Sequence, residues 1–390
     1  MIPKRVGAII NLDNIKKNIE PVVNRLHNKA QVMGIIKSDA YGHGAVEVAK
    51  VLSECGVKSF GVAAVNEAVE LRKNNINEEI LILGQIFDVS FPLITKYNIT
   101  STIFDKSCAI KLSDFALSQN TQVKAFIKID TGMGRIGFEA NTEGYEDIKY
   151  IFENCKGLKI LGAYTHFANA DSKDKSSAKN QKNLFLTFTD NLIKNGYPLP
   201  IRHMYNSAAI MEMDDDYVGE VVRCGIMTYG LYPSDEIDRN YKLYPCMELK
   251  SSVAFIKKVP KGYTVGYGST FVTEKDTTIA TIPVGYGDGY PRYLSNKGRV
   301  LINGEYCKIL GRICMDQFMV DVTNLQDVKI GDTVTLIGKD GDKFIPIEEL
   351  CDDEYRFNYE FCCLINKRVP RVYLKNHQIY KTDDTYLDHE

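Results

Sequence analysis

From residue 31 to about residue 230 the chain alternates between two hydrophobic rhythms. Short β-branched runs supply the first: QVMGIIK (31–37), SFGVAAV (59–65), EILILG (79–84), TSTIFD (100–105), VKAFIKID (123–130), LKILGAYTH (158–166), IRHMYNS (201–207) and VRCGIMTYG (222–230). Between them lie longer segments such as AVEVAKVLSECG and AKNQKNLFLTFTDNLIKNG. Their apolar residues recur every three or four positions, the period of one helix face. Gly56 and Gly196 stand where those helices end, as residues that accept the left-handed backbone of a C-terminus. Continuous apolar strands separated by amphipathic helices predict an α/β arrangement of parallel strands and crossover helices. Eight such units predict a closed (β/α)8 barrel, with an open doubly wound sheet as the rival.

After about residue 240 helical periodicity fades. Alternating runs replace it: SSVAFIKKV, TTIATIPV, GRVLINGEYCKILGRI, QFMVDVT and DTVTLIG, separated by PKG, NG and DG. Those are hairpin signals, so the division expected is a barrel over 1–240 and an all-β C-terminal domain over 241–390. The early run VGAIINL is compatible with either domain, and the acidic tail KTDDTYLDHE reads as loose.

Composition narrows the class. Of 390 residues, 44% are hydrophobic and 25% charged, with a net charge of −2, which argues against a nucleic-acid footprint. No apolar run approaches the ~18 residues of a membrane span. The opening MIPKRVGAIINLDN has no signal-peptide core, and the expected location is the cytoplasm. Ten scattered cysteines without a CxxC pair, and six histidines, His377 and His389 among them, read as reduced thiols and no metal site.

In a barrel of this kind chemistry gathers at the C-terminal ends of the strands. Lys37 ends the first candidate strand, Lys128 and Asp130 the fifth, with TGMGR leading to Arg135. His166 ends the sixth, Asn206 and Ser207 the seventh, and Arg223, Gly225 and Ile226 lie in the eighth. Singly, each is an ordinary solvated or core residue; together they define a rim. A lysine in a partly desolvated cup near other cations loses pKa and becomes a nucleophile towards aldehydes, as a lysine that carries pyridoxal phosphate must. Ser207 with the backbone near Gly225 and Ile226 offers a phosphate cradle. His166 or Tyr41 can flank the ring, and Arg223 can meet its nitrogen. In the β-rich half, PVGYGDGYPR presents Tyr286 on a glycine-rich turn. Arg312 and Asp316 bracket GRICMDQFMVDV, which reads as a strand with one buried ion pair.

These segments resemble a known family. KSDAYGHG, KIDTGMGRIGF, YTHFANAD, HMYNSAA, VRCGIMTYGLYP, GYGST, PVGYGDGYPR, GRICMDQ and RVPRVY, in that order, resemble the blocks of pyridoxal-phosphate-dependent alanine racemases over nearly the whole chain. The resemblance implies a barrel followed by a β domain, and head-to-tail homodimers whose active sites join one subunit's barrel to the other's β domain. It implies that Lys37 holds the cofactor and is one acid/base catalyst, with the partner chain's Tyr286 as the other. One group removes the Cα proton from one face and the other returns a proton to the opposite face. By the same resemblance Arg223 partners the pyridine nitrogen, and Arg135 and Met315 bind the amino-acid substrate. Tyr41, Ser207, Gly225 and Ile226 contact the phosphate, and Lys128 matches a lysine carbamylated in many members. The family's usual role is to supply D-alanine for peptidoglycan.

One departure stands out. Where many members have tyrosine just before RVPR, this chain has Lys367. A lysine can meet the phosphate as a point charge, but it changes the polarity beside the substrate side chain. The alternative is therefore a racemase preferring serine or another small or basic amino acid. A decarboxylase of related fold is disfavoured by the missing cysteine-containing substrate loop, and a cofactor carrier by the presence of the β domain.

Overall fold

The computed structural model describes residues 5–213, 219–351, 357–385 and 387. Of the regions read above, Met1–Lys4 at the N-terminus and, in the acidic tail, 386 and 388–390 with His389 lie outside them. The chain forms two compact units. One comprises Ile15–Ala40 and Ala45–Tyr244; the other comprises Met1–Asn14, Tyr41–Gly44 and Pro245–Glu390.

The elements used below are β1 (Val6–Asn11), then β2 (Gln31–Ile35), β3 (Ser59–Val62), β4 (Glu79–Ile82), β5 (Ser101–Ile103), β6 (Val123–Asp130), β7 (Leu158–Tyr164), β8 (Ile201–His203) and β9 (Val221–Cys224). Strands β2 to β9 build the first unit. β9 pairs with β2, β2 with β3 and β3 with β4, all parallel. β5, β6, β7 and β8 form a second parallel run. The two runs join at both seams. Leu81 bridges to Thr100, with Ile82 N–H donating to Thr100 O at 2.9 Å. Arg223 N–H donates to Tyr205 O at 2.9 Å. The sheet thus closes into an eight-stranded barrel, and the open-sheet rival falls. Its strands are buried on both faces, as in VVRC of β9 and SFGV of β3, which is why they read as unbroken apolar runs.

The other unit is built on one large sheet. Continuing the numbering, β10 is Met247–Ser252, β11 Phe255–Val259, β12 Thr277–Ile282, β13 Arg299–Ile302, β14 Glu305–Leu310, β15 Phe318–Asp321, β16 Thr333–Asp340, β17 Lys343–Ile345, β18 Arg371–Lys375 and β19 Gln378–Asp383. The order is β11-β12-β15-β14-β13-β16-β10-β1-β18-β19, with β17 paired to β16. β1 sits inside this sheet, antiparallel to β10 and parallel to β18. VGAIINL therefore belongs with the C-terminal strands.

The C-terminal unit is mostly β, as expected, with one short helix at Asn358–Leu364; seven residues are too few for a hydrophobic period to declare itself. One expectation is corrected. The tail is ordered through β19 as far as Asp383, where it pairs antiparallel with β18.

Candidate active site

The KSDAYGHG segment takes an unusual backbone. Ser38, Asp39, Ala40 and Tyr41 have φ of 54°, 53°, 53° and 53°, followed by Gly42 at 76°. They form one turn of left-handed helix, which costs a residue with a Cβ about 1–2 kcal/mol. Polar contacts hold it in place. Ala40 N–H donates to Ile36 O at 2.9 Å, and Ala45 N–H donates to Asp39 Oδ1 at 2.7 Å. Glu67 accepts the Ser38, Ala63 and Ala64 N–H groups. Gly42 and Gly44 must be glycine, since a Cβ there would meet Cys362 O and the Tyr373 hydroxyl. Such strain persists where a backbone must aim a side chain, and Lys37 stands at the head of this turn, partly buried.

Lys128, on β6, is 2% exposed. Its Nζ donates to Ile129 O at 2.9 Å, and it forms no ion pair among the described residues. Burial first, then the Arg223 guanidinium, push its pKa down to about 7, with Asp130 opposing. Asp130 accepts the N–H groups of Gly132, Met133 and Gly134 at 2.8, 2.9 and 3.2 Å, shaping the turn that leads to the exposed Arg135. Arg223, 3% exposed, donates to His203 Nδ1 at 2.9 Å, His166 Nδ1 at 3.2 Å, Thr165 O at 2.8 Å and Met204 O at 3.1 Å. Burial and then Arg223, Arg135, Lys128 and Lys37 hold His166 well below the usual imidazole range. Four basic side chains bear on one imidazole, which makes the rim an electropositive site.

Ser207 is buried, and its Oγ accepts the Gly225 N–H at 2.9 Å. The Gly225 donor is thus committed within the chain. Among the described residues neither the Ser207 hydroxyl proton nor the Ile226 N–H, which heads the short turn Ile226–Tyr229, is donated to a partner, as befits the first N–H of a turn. Tyr41, assigned to the C-terminal unit, is buried and its ring tilts against Tyr359 at 6.0 Å. Burial raises its phenol well above the usual range.

In the C-terminal unit Tyr286 and Met315 are exposed, 42% and 53%. Their loops are stitched together: Tyr286 N–H donates to Cys314 O at 3.1 Å and Gly287 N–H to Met315 O at 2.9 Å. Asp288, 1% exposed, anchors them. It takes two bonds from Arg5, 2.8 and 2.9 Å, and one from Arg368 Nε at 2.8 Å, while Arg368 Nη2 reaches Asp316 at 2.7 Å. The expected buried Arg312–Asp316 pair is therefore corrected. Asp316 is exposed and pairs with Arg368, and the strand begins only at Phe318. Arg312 instead lies against Gly268.

That contact draws attention to a residue that the motif reading passed over. Tyr267, within the GYGST block, is 70% exposed. It is flanked by Gly266 at φ 74°, Gly268 at 73° and Ser269 at 47°. The positive φ of a serine was invisible in the sequence, although the paired glycines were a signal. Lys367 is exposed.

Comparison with known proteins decides the family. Residues 10–233 match the model of the alanine racemase N-terminal domain and residues 246–373 that of the C-terminal domain. The chain belongs to the alanine racemase family. It is 42% identical over 379 residues to an alanine racemase of Clostridium perfringens, covering 96% of this chain and 97% of that one. The alanine racemase structure of Clostridium difficile 630 superposes with a TM-score of 0.94 at 39% identity, covering 99% of this chain and 100% of the other. That of Bartonella henselae, described with covalently bound pyridoxal phosphate, superposes at 0.83 with 28% identity, covering 95% and 100%. The protein is a racemase. Its donor set fits pyridoxal phosphate: an amine at Lys37, neutral hydroxyl and N–H donors at Ser207 and Ile226 for a phosphate, and an obligate cation at Arg223.

Proposed function

We propose that the protein interconverts L- and D-alanine with pyridoxal phosphate carried on Lys37 at the barrel rim, working as a cytoplasmic homodimer that supplies D-alanine for peptidoglycan. The observation that carries this reading is the gathering of Lys37, Lys128, Arg135 and Arg223 around a neutral His166. Bound there, the cofactor supplies an electron sink for the charge left on Cα.

The chain's own groups do the rest. Lys37 moves a proton at Cα on one face. Ser207 and Ile226 hold the phosphate, with Tyr41 and Gly225 shaping its surroundings. His166 flanks the ring, and Arg223, which keeps its proton, faces the ring nitrogen as a donor. Arg135 binds the substrate carboxylate, and Met315 of the second copy, on the loop bonded to that of Tyr286, approaches the substrate through its backbone. With a pKa of about 7, Lys128 is substantially neutral at physiological pH. Its nitrogen can add to dissolved carbon dioxide, losing one proton and becoming a carbamate anion that braces Arg135.

A phenol from the C-terminal unit of the second copy serves the opposite face of Cα. Tyr286 is the choice by motif. Tyr267 is favoured by its greater exposure and by the strained turn that presents it. Lys367 is exposed, and the aromatic ring found against Tyr41, a proposed neighbour of the phosphate, is that of Tyr359.

The test is Lys37→Ala purified with pyridoxal phosphate. It should lose the visible absorption band of the bound cofactor and the exchange of the alanine Cα proton for deuterium. A variant that keeps both would end this reading.

A further inference from the structure

The helix Ser176–Lys194 buries a face formed by Ala178, Phe185, Phe188 and Leu192, and Gln181 lies on that face. Its amide side chain is 4% exposed, at a place where the stripe calls for an apolar residue. Burying an amide is costly unless its polar atoms are bonded. Among the described residues its side-chain bonds all run to the barrel rim. Nε2 donates to His166 O at 3.1 Å and to Thr131 Oγ1 at 3.3 Å, and Oε1 accepts the Ala168 N–H at 2.9 Å. A carbonyl only accepts and a backbone N–H only donates, so these partners fix which way the amide points. One side chain thus grips the main chain on both sides of Phe167 and also reaches the first residue after β6. Thr131 in turn bonds Thr165, Oγ1 to Oγ1, at 2.8 Å. Gly132 lies against the stem of Gln181, where an added Cβ would stand 3.7 Å from Gln181 Cγ.

We infer that Gln181 is a positioning residue that sets the loop carrying Arg135 and the backbone of His166 relative to each other. The two loops follow different strands, β6 and β7, and have different tasks. Thr131 opens the turn that Asp130 shapes through the N–H groups of Gly132, Met133 and Gly134, and that turn delivers Arg135. The His166 ring is held at Nδ1 by Arg223 at 3.2 Å. Gln181 holds the same residue by its carbonyl, so ring and main chain are each pinned. An arm that binds a carboxylate and a ring that flanks the cofactor must keep their separation to within about 0.5 Å for substrate to sit correctly between them. Methionine would fill the same space on the helix. It would leave the Ala168 N–H and the His166 carbonyl without this partner, and the β6 turn untied from both. The inference rests on the roles proposed above for Arg135 and His166.

Gln181→Met and Thr131→Val test it, the second removing only the hydroxyl that ties the β6 turn. In the cofactor-free protein, amide hydrogen exchange in Gln181→Met should quicken about tenfold in both 131–135 and 166–168, the worth of a lost hydrogen bond or two. The barrel strands should keep wild-type rates. Thr131→Val should quicken 131–135 and leave Ala168 unchanged. In the holoenzyme Gln181→Met should raise the KM for alanine about tenfold while kcat changes less than about threefold. Adding Thr131→Val to it should raise KM little further, because both changes break the same link. Wild-type exchange in either loop of folded Gln181→Met would overturn the inference, as would KM effects that multiply in the double variant. Thr131→Val with unchanged exchange in 131–135 would overturn it even where Gln181→Met does not fold. A flat KM in Gln181→Met beside a raised one in Arg135→Ala would do the same. A flat KM in both would instead overturn the site reading beneath it.

Discussion

Arg223 Nη1 stands 2.9 Å from His203 Nδ1, and this one contact fixes the imidazole's state. Arginine has donors only, so Nδ1 accepts and the ring proton of His203 resides on Nε2. The second guanidinium nitrogen makes the same demand on His166 Nδ1 at 3.2 Å. Both histidines are thus held neutral by geometry, and the depressed pKa of each points the same way, with burial the largest cause and Arg223 the next.

Acid should therefore loosen this fold near neutral pH. A histidine whose folded pKa lies below its unfolded value of about 6.5 leaves the unfolded chain holding more protons between the two values. Stability is then present above the unfolded pKa and lost as pH falls through that window, by up to about 1.4 kcal/mol per pH unit per histidine. Urea unfolding of the apo-protein at pH 7.5 and at 5.5 should show the loss. His203→Gln, whose amide oxygen can still accept from Arg223, should flatten the slope by one proton. An unchanged slope would mean that His203 is charged in the fold. At Asp130 burial pushes the pKa up, but backbone N–H bonds and Lys128 outweigh it and hold the carboxyl below its usual range, so it acts only at lower pH.

Asp288 should prove a clamp for the loops that carry Tyr286 and Met315. It is a buried carboxylate between Arg5 and Arg368, both partly exposed. Asp288→Asn leaves two guanidinium groups facing an amide, and removing one partner of a buried pair costs about 3–5 kcal/mol. Solvent reaches both arginines, so the low end of that range is expected. Arg368→Ala spares the Arg5 bonds and should cost less while raising the KM for alanine. Denaturant midpoints and steady-state kinetics on both variants check this. Equal stability of Asp288→Asn and wild type would rule out the clamp.

The barrel was legible because its strands are short, uninterrupted apolar runs and its helices are long enough to show their period. The rim followed from topology, since strand ends are sequence positions. Three things were not legible. The left-handed turn after Lys37 is made by Ser38, Asp39, Ala40 and Tyr41, residues that carry no local signal for it. The helix Asn358–Leu364 is too short to be periodic. The ion pairs of Asp288 and Asp316 link positions up to 283 residues apart, so no spacing rule could assign them.

Lys367 should matter little and Tyr359 more. The exchange before RVPR suggested an altered substrate pocket, but Lys367 is exposed. Tyr359 packs its ring on Tyr41 at 6.0 Å and on Phe357 at 4.9 Å. Lys367→Tyr should leave the ratio of kcat/KM for alanine and serine within about twofold, a shift of less than about 0.5 kcal/mol. Tyr359→Ala should lower the affinity for pyridoxal phosphate and change that ratio. A large change in specificity from Lys367→Tyr alone would return the pocket to Lys367.

The sharpest prediction separates two tyrosines. In a two-base racemase the two faces of Cα are served by different groups, so losing the phenol that serves one face must affect the two enantiomers differently. Tyr267 protrudes on a turn with positive φ at Gly266, Gly268 and Ser269, and Arg312 lies against Gly268. Tyr286 is less exposed, 42% against 70%, and its loop is bonded to Cys314 and Met315, which suits a wall better than a proton carrier. Tyr267→Phe should cut kcat by about 10²–10⁴-fold, the usual worth of a general acid or base. It should still wash deuterium into one enantiomer of alanine through Lys37. Tyr286→Phe should change kcat by less than about tenfold and act mainly on KM. Proton NMR in deuterated water on each enantiomer reads both effects. The reverse pattern, with one-sided exchange in Tyr286→Phe and near-normal turnover in Tyr267→Phe, would restore Tyr286 as the second base.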